Sequence, residues 1–304
     1  MNTSSFISNI FKGMAMGAAN VIPGVSGGTI ALITGVFERL INAIKAFDLK
    51  AINLLFSGKF KEFAKHIDLW FLISLFLGVG IAVVTLARLF KYLFVAYPVF
   101  IWAFFFGLVL ASIYFVGKTV TKWNFSSIAT FIIGSVIAIS ISVLTPASEN
   151  DSMIYLFICG VIAICSMIIP GLSGSFVLIL LGNYQLVMIN AVSELNMKIL
   201  LPVAAGAGIG LVAFSHFLSW LLKKYHNQTI AMLTGFILGS LGILWPWKEA
   251  ITQTFGEKIK TIGYDWFLPS VNTEFYLAVL FIILGIASIW ITEALGSKKT
   301  KLDA

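Results

Sequence analysis

Charge is what this sequence has least of. Only 11% of its 304 residues are Asp, Glu, Lys or Arg, while 59% are apolar by a broad count, and the mean hydropathy is +0.99. Soluble domains run at about 25% charged and about 45–50% apolar, so an ordinary soluble fold is excluded. Cysteine is nearly absent. Cys159 and Cys165 stand six apart in one apolar segment, which excludes a disulfide framework and a thiolate metal site. Histidine occurs three times (His66, His216, His226) without ligand spacing, so no metal and no cofactor are expected. The segment Met1–Asn9 has no basic residue, and no cleaved signal peptide is expected.

What the sequence does have is long apolar runs, among them Leu69–Thr85, Pro98–Val116 and Phe275–Ile291. About 20 such residues cross a hydrocarbon core. The chain reads as an all-α integral membrane protein. Its balance of 20 Lys and Arg against 13 Asp and Glu then needs no nucleic acid, because cytoplasmic loops of membrane proteins collect Lys and Arg.

Proline is scarce, seven residues in all, and two of these seven sit in a repeated block. Ile22-Pro23-Gly24-Val25-Ser26-Gly27 recurs as Ile169-Pro170-Gly171-Leu172-Ser173-Gly174, at an offset of 147. Gly35 aligns with Gly182, and Glu38 with Gln185, at the same offset. Further along the offset becomes 128, where Gly78 and Gly80 match Gly206 and Gly208, and Gly107 matches Gly235. The difference is one loop, residues 45–68, longer in the first half. The chain is thus one membrane domain over 1–304, with repeat 1 at about 5–145 and repeat 2 at about 153–295.

Each repeat reads as a helix pair broken at PGxSG, then three spans. The expected pairs are 5–22 with 26–45 and 153–169 with 173–192. The expected spans are 69–94, 98–117 and 126–144, then 199–222, 228–245 and 275–294. Pro and Gly disfavour continued helix, so each pair is expected to be a re-entrant hairpin, allowed at membrane depth where it is buried in protein or lines a cavity. A hairpin returns the chain to the side it entered and three spans carry it across, so the second repeat is expected upside down relative to the first. Inverted repeats with broken helices are typical of secondary transporters. Ten full spans would give the same parity. Most basic residues, from Lys12 through Lys301, fall on one side if both termini are cytoplasmic, and Trp245 and Trp247 fall where an interfacial belt would lie.

The turns themselves suggest chemistry. Pro23 and Pro170 interrupt helix, Ser26 and Ser173 are natural N-caps for the returning half-helices, and Gly24, Gly27, Gly28, Gly171 and Gly174 leave backbone N–H groups open to a close ligand. Thr29 and Ser175 add hydroxyls. Two half-helix N-termini aimed at the membrane centre would bind an anion; kinks that merely let helices pack closely are the alternative. One helix N-terminus contributes about 0.3–2 kcal/mol, whereas a single charge at the bilayer centre costs at least about 2.5–3.5 kcal/mol. Water or a cation must supply the rest. Arg88 and His216, at matching repeat positions, are the candidates; snorkelling or interfacial side chains are the competing reading. Glu38 reads either as a proton site or as the start of a cytoplasmic loop.

The stretches NVIPGVSGGTIALITGVFERL (20–40) and MIIPGLSGSFVLILLGNY (167–184) resemble the bacterial polyprenyl-phosphate transporter family. The resemblance spans roughly residues 10–295. It implies a multi-pass bacterial plasma-membrane protein that moves undecaprenyl phosphate from the outer to the inner leaflet for reuse in cell-wall synthesis, among membrane lipids and with or without assembly as a homo-oligomer. The second turn departs from the first, with Ser175 for Gly28 and Phe176 for Thr29. No ATP-binding P-loop occurs, so transport is expected to be passive or ion-coupled. An anion moving inward opposes an inside-negative potential by about 2.3 kcal/mol per charge per 100 mV, which favours a co-transported proton through Glu38 or His216. A transporter or channel for a small soluble anion would use the same turns. An intramembrane lipid phosphatase is disfavoured, because Ser26 and Ser173 have no His–Asp pair in sequence reach.

Overall fold

The structure, a computed structural model, describes residues 3–21, 27–144, 147–192, 194–256 and 258–302. It is mostly helical. Five helices are long and apolar enough to cross a membrane among the described residues, and two bent helix pairs pass the same test when joined. The chain is a multi-pass membrane protein.

Helix α1 (Thr3–Val21) leads to residues 22–26, which lie outside the described residues together with Pro23, Gly24 and Ser26. The expected return limb 26–45 is two helices, α2 (Gly27–Ile33) and α3 (Phe37–Lys45), bent by 116°. The cause is local: Gly35 takes a φ of +68°, a left-handed conformation that favours glycine and ends α2. The expected helix 173–192 divides in the same way. Its parts are α10 (Gly174–Leu180), a turn at Gly182 with φ +74°, and a π-helix, Gln185–Ala191. The loop 45–68 is not extended but folds into α4 (Leu49–Phe56) and α5 (Phe60–His66).

The spans follow the expected positions closely. They are α6 (Leu69–Ala96), α7 (Pro98–Lys118), α8 (Phe125–Val143), α11 (Met197–Lys224), α12 (His226–Gly239) continued by α13 (Leu241–Leu244), and α14 (Thr273–Leu302), while α9 (Met153–Ile168), the first limb of the second expected pair, is shorter. Side-chain caps fix several starts: Asn124 accepts from the Ser127 N–H at 2.9 Å and Asn196 from the Lys198 N–H at 3.2 Å. Pro98 opens α7, where its missing N–H costs nothing.

Glycines set the packing. A Cβ on Gly13 would land on the Leu75 carbonyl, and one on Gly78 on the Ile10 carbonyl, so α1 and α6 touch backbone to backbone. The same contact recurs between α9 and α11, from Gly160 to the Val203 carbonyl and from Gly206 to the Phe157 carbonyl. The offsets are those of the sequence repeat. A second pair of contacts crosses between the halves. Gly107 of α7 meets the carbonyl of Ile282 and Gly285 of α14 that of Phe104, while Gly235 of α12 meets that of Phe131 and Gly134 of α8 that of Met232. Small residues let helix backbones approach this closely in membranes, where no hydrophobic force draws helices together.

One segment departs from all-α. Residues 248–266, expected as loop, form an antiparallel hairpin of β1 (Lys248–Phe255) and β2 (Lys258–Trp266), with Lys248 opposite Trp266 and Phe255 opposite Lys258. Trp247, expected in an interfacial belt, is instead buried with Ala103 of α7 and Ala278 of α14. Trp245 donates its indole N–H to the Phe267 carbonyl at 3.1 Å. These tryptophans hold the hairpin against the helix ends.

Candidate functional site

The second PGxSG turn is fully described. Pro170, Gly171, Leu172 and Gly174 are buried, Ser173 is half-buried and Ser175 is exposed. Gly171 has a φ of +83°, and a Cβ there would come within 2.7 Å of the Phe236 carbonyl on α12. Conformation and space both require glycine. Ser173 stands at the N-cap position of α10 with extended backbone, but its hydroxyl makes no cap bond. It pairs with the Ser175 hydroxyl at 3.1 Å instead, so the two side chains form one small hydroxyl patch at the start of α10.

Of the first turn, Gly27, Gly28 and Thr29 are described, and they form the first turn of α2. Thr29 is buried, and its hydroxyl oxygen accepts the Gly171 N–H at 3.0 Å. Residues 142 apart in sequence, one from each PGxSG region, are therefore in direct contact. The far ends of the two short helices are tied alike. Lys12 of α1 donates its ammonium to the Thr34 carbonyl at 2.9 Å, and Tyr155 of α9 donates its hydroxyl to the Leu181 carbonyl at 2.8 Å. Thr34 and Leu181 are again 147 apart. In each half a donor from the preceding helix satisfies a carbonyl that the short helix leaves without an intrahelical partner.

The candidate cations are not in the turns. Arg88 belongs to α6, with its side chain outside the described residues. His216 lies half-buried on α11, where its Nδ1 bonds the Val212 carbonyl one turn back at 2.9 Å. Glu38, expected at the end of a half-helix, sits in the first turn of α3. The His226 Nε2–H donates to its carboxylate at 3.0 Å. Sequence reasoning missed this partner, because His226 is 188 residues away and only the fold brings α12 beside α3. One turn on, the Ser219 hydroxyl of α11 donates to the Asn42 side-chain carbonyl of α3 at 2.9 Å. Glu38 and His226 line a cavity of about 620 Å³ that also holds Asn42, Arg39, Asp68 and His66. Arg39 is held there by a two-pronged bond to Asp68, at 2.7 and 3.1 Å. Among the described residues no group of His, Cys, Asp and Glu could hold a metal ion.

Lys248, at the foot of the β-hairpin, was not singled out by sequence. Its ammonium donates to the Ile243 carbonyl and lies 3.5 Å from the centroid of the Trp102 ring and 4.6 Å from that of Tyr264. Burial pushes it down to about 6, and pushes the Tyr264 phenol up to about 12.

Residues 16–262 match the family described as VCA0040-like: undecaprenyl phosphate translocase-like. A relative named polyprenyl-phosphate transporter, from Vibrio cholerae serotype O1, is 38% identical over 305 residues, spanning 97% of this chain and 99% of the relative. A second of the same name, from Staphylococcus aureus, is 33% identical over 256 residues, spanning 78% of this chain and 86% of the relative. No solved structure matches the chain. Matched by its family over most of its length and by a relative nearly end to end, this multi-pass protein is a transporter, not an enzyme, and belongs to the undecaprenyl phosphate translocase-like family.

Proposed function

We propose that the chain carries undecaprenyl phosphate, a polyprenyl monophosphate, from the outer to the inner leaflet of the bacterial plasma membrane, returning it for cell-wall synthesis. The observation that carries the reading is the Thr29–Gly171 hydrogen bond. It joins the two PGxSG regions, which supports a reading in which both half-helix N-termini serve one site. A phosphate cradled there takes its donors from the rest of the two turns, Pro23 to Thr29 and Pro170 to Ser175, the Gly171 N–H being given to Thr29. The isoprenoid tail needs no enclosure and stays in the bilayer.

On this reading the chain is one membrane domain of two inverted repeats, about 5–145 and 153–295, with both termini cytoplasmic. The pairs α1 with α2–α3 and α9 with α10 are its re-entrant hairpins. Helices α6 and α11 span in opposite senses, which puts Arg88 toward the outer end of the path and His216 toward the inner. With Nδ1 donating to Val212, His216 can donate a second bond through Nε2 only when protonated. Phosphate and proton then bind together, which answers the electrical cost of moving an anion inward. Glu38, bonded to His226, receives the proton at the inner mouth.

The test is headgroup accessibility of undecaprenyl phosphate between leaflets in proteoliposomes. Thr29→Val removes the acceptor without changing shape, and one such bond is worth about 0.5–1.5 kcal/mol. Transfer should slow about tenfold, recover in Thr29→Ser, and slow likewise in Ser173→Ala/Ser175→Ala. Normal transfer in all of these would remove the turns from the path. Uptake of inorganic phosphate with no movement of the lipid would favour the soluble-anion reading.

A further inference from the structure

The repeat leaves one element unaccounted for. The first half runs from α3 to α6 through α4 and α5, whereas the second passes from the π-helix to α11 in a few residues. The α4–α5 excursion is no part of the shared skeleton, and its surface is unlike that of a solvated loop. Leu49 is 84% exposed, Phe56 87% and Phe60 65%, and Phe47, Ile52 and Leu55 are exposed as well. On α4 the positions 49, 52 and 56 follow the spacing of a single helix face, and Ala51, off that face, is buried. The excursion also carries Lys50 on α4 and Lys59, Lys61 and Lys65 at and along α5, all exposed. The only carboxylates in the excursion are Asp48 and Glu62, and Glu62 faces Lys59 at 3.9 Å.

The excursion is also a built unit. Asp48 caps α4 by accepting the Ala51 N–H at 2.9 Å, and the same carboxylate oxygen accepts from the His66 Nε2–H at 3.1 Å. The start of α4 is thereby pinned to the end of α5. Two residues later the chain enters α6, a span, at a bend of 64° between α5 and α6. Seven residues of helix are about 10 Å long, so α5 rises only about 5 Å along the axis of α6. Helix α5, and with it the start of α4 that is pinned to its end, therefore stays at the edge of the bilayer that α6 crosses. Exposed Trp70, in the first turn of α6, marks the same level.

We propose that α4 and α5 form an interfacial anchor that lays Leu49, Ile52 and Phe56 into the boundary of an anionic phospholipid leaflet, with the four lysines on its headgroups. An exposed apolar helix face with several nearby lysines is the form that binds such a surface, immersed about 5–10 Å; the lysines add attraction that a neutral leaflet lacks. The proposal rests on the membrane-spanning helices alone and does not depend on the transported molecule. Its consequence is local: His66 and Asp68, at the end of the anchor, are walls of the 620 Å³ cavity, so the lipid surface fixes one side of that opening.

The experiment places a nitroxide at Leu49→Cys, Ile52→Cys or Phe56→Cys, one at a time, in the full-length protein carrying Cys159→Ala/Cys165→Ala. Collisions with oxygen and with a water-soluble nickel chelate are measured in nanodiscs of phosphatidylcholine, with and without phosphatidylglycerol. The three sites should favour oxygen several-fold over the chelate, and Asp151→Cys, on the exposed polar connection before α9, should do the reverse. Immersion should deepen with phosphatidylglycerol, and replacing the four lysines by glutamine should abolish that deepening. Chelate accessibility like that of Asp151 at all three sites would overturn the anchor, and immersion indifferent to phosphatidylglycerol would overturn its anionic partner. Dipolar broadening between labels on separate copies would assign the face to a second protein molecule instead. Three sites are used so that one misfolding variant does not decide the matter.

Discussion

The two halves of this molecule share a skeleton but not a chemistry. Helix α6 (Leu69–Ala96) and helix α11 (Met197–Lys224) have the same length and lie 128 apart at both ends; α2 and α10 likewise match at 147. Even the left-handed glycines, Gly35 and Gly182, and the carbonyls held by Lys12 and Tyr155 correspond. The titratable groups do not. Glu38 is matched by Gln185 and its partner His226 by Pro98, and the anchor-like α4–α5 excursion has no counterpart. The packing differs too. Helix α3 lies on α11 of the other half, while among the described residues the π-helix packs on α11 of its own half. The skeleton is common to the halves, and what distinguishes them is a handful of side chains and one excursion.

The largest effect tests the shared part. Gly13→Leu and Gly160→Leu each drive a side chain into a carbonyl of the neighbouring helix, Leu75 or Val203. Overpacking of this kind costs about 1–3 kcal/mol where neighbours can shift, and more where, as here, the neighbour is helix backbone. Both variants should lose most of their monodisperse protein on detergent extraction, and to a similar degree. Gly80→Leu and Gly208→Leu, which meet open space, should extract normally. If Gly13→Leu folded and Gly160→Leu did not, the correspondence of the halves would end at sequence.

How much of this was legible in the sequence follows the same division. The spans were, because an apolar run of the right length needs no partner to identify it, and the repeat supplied a second measurement of each boundary. The break in 26–45 was half legible: Gly35 and Gly182 were aligned, but their left-handed φ follows from the fold. The hairpin was missed although Gly256, with φ +58°, sits in its two-residue connection; the polar alternation around it looked like loop in so apolar a chain. Least legible were contacts between halves. Thr29 with Gly171, and Glu38 with His226, join residues more than a hundred positions apart, and no periodicity within either segment points to the other. Arg88 and His216 were paired by alignment alone, and His216 turns out to bond its own helix at Val212.

A smaller effect probes the part that is not shared. The Glu38–His226 pair is about half exposed, and such pairs contribute only about 0–1 kcal/mol to stability. Glu38→Gln and His226→Gln should therefore leave extraction and melting nearly unchanged. If the pair handles the proton, they should instead flatten the response of lipid transfer to an imposed pH gradient, by about tenfold at the steepest point, while exchange without a gradient persists. Gln185→Glu places the carboxylate at the matching position of the other half and should not restore the response. An unchanged gradient dependence in Glu38→Gln would leave the chemical difference between the ends without a role in coupling.

The smallest effect concerns the hairpin, which among the described residues only the second half carries. Lys248 is half-buried against Trp102 and Tyr264, with burial pushing it down to about 6 from an ordinary 10.5. The aromatic faces pull the other way, by about 2 kcal/mol when desolvated, but a drop of this size corresponds to about 6 kcal/mol at 1.36 kcal/mol per pH unit, so burial wins. The sign then follows from linkage. Between pH 6 and 10.5 the unfolded chain holds a proton on Lys248 that the folded chain has released. Stability must therefore rise with pH across that window, with the penalty full below about pH 6. Melting in detergent should shift upward by a few degrees from pH 6 to 9, and Lys248→Met, which keeps the apolar stem and removes the charge, should flatten that slope and melt higher at pH 6. If Lys248→Met melts lower at every pH with the slope intact, the ammonium is held charged by its rings and the Ile243 carbonyl, and the hairpin is fastened by a cation rather than merely tolerating a lysine.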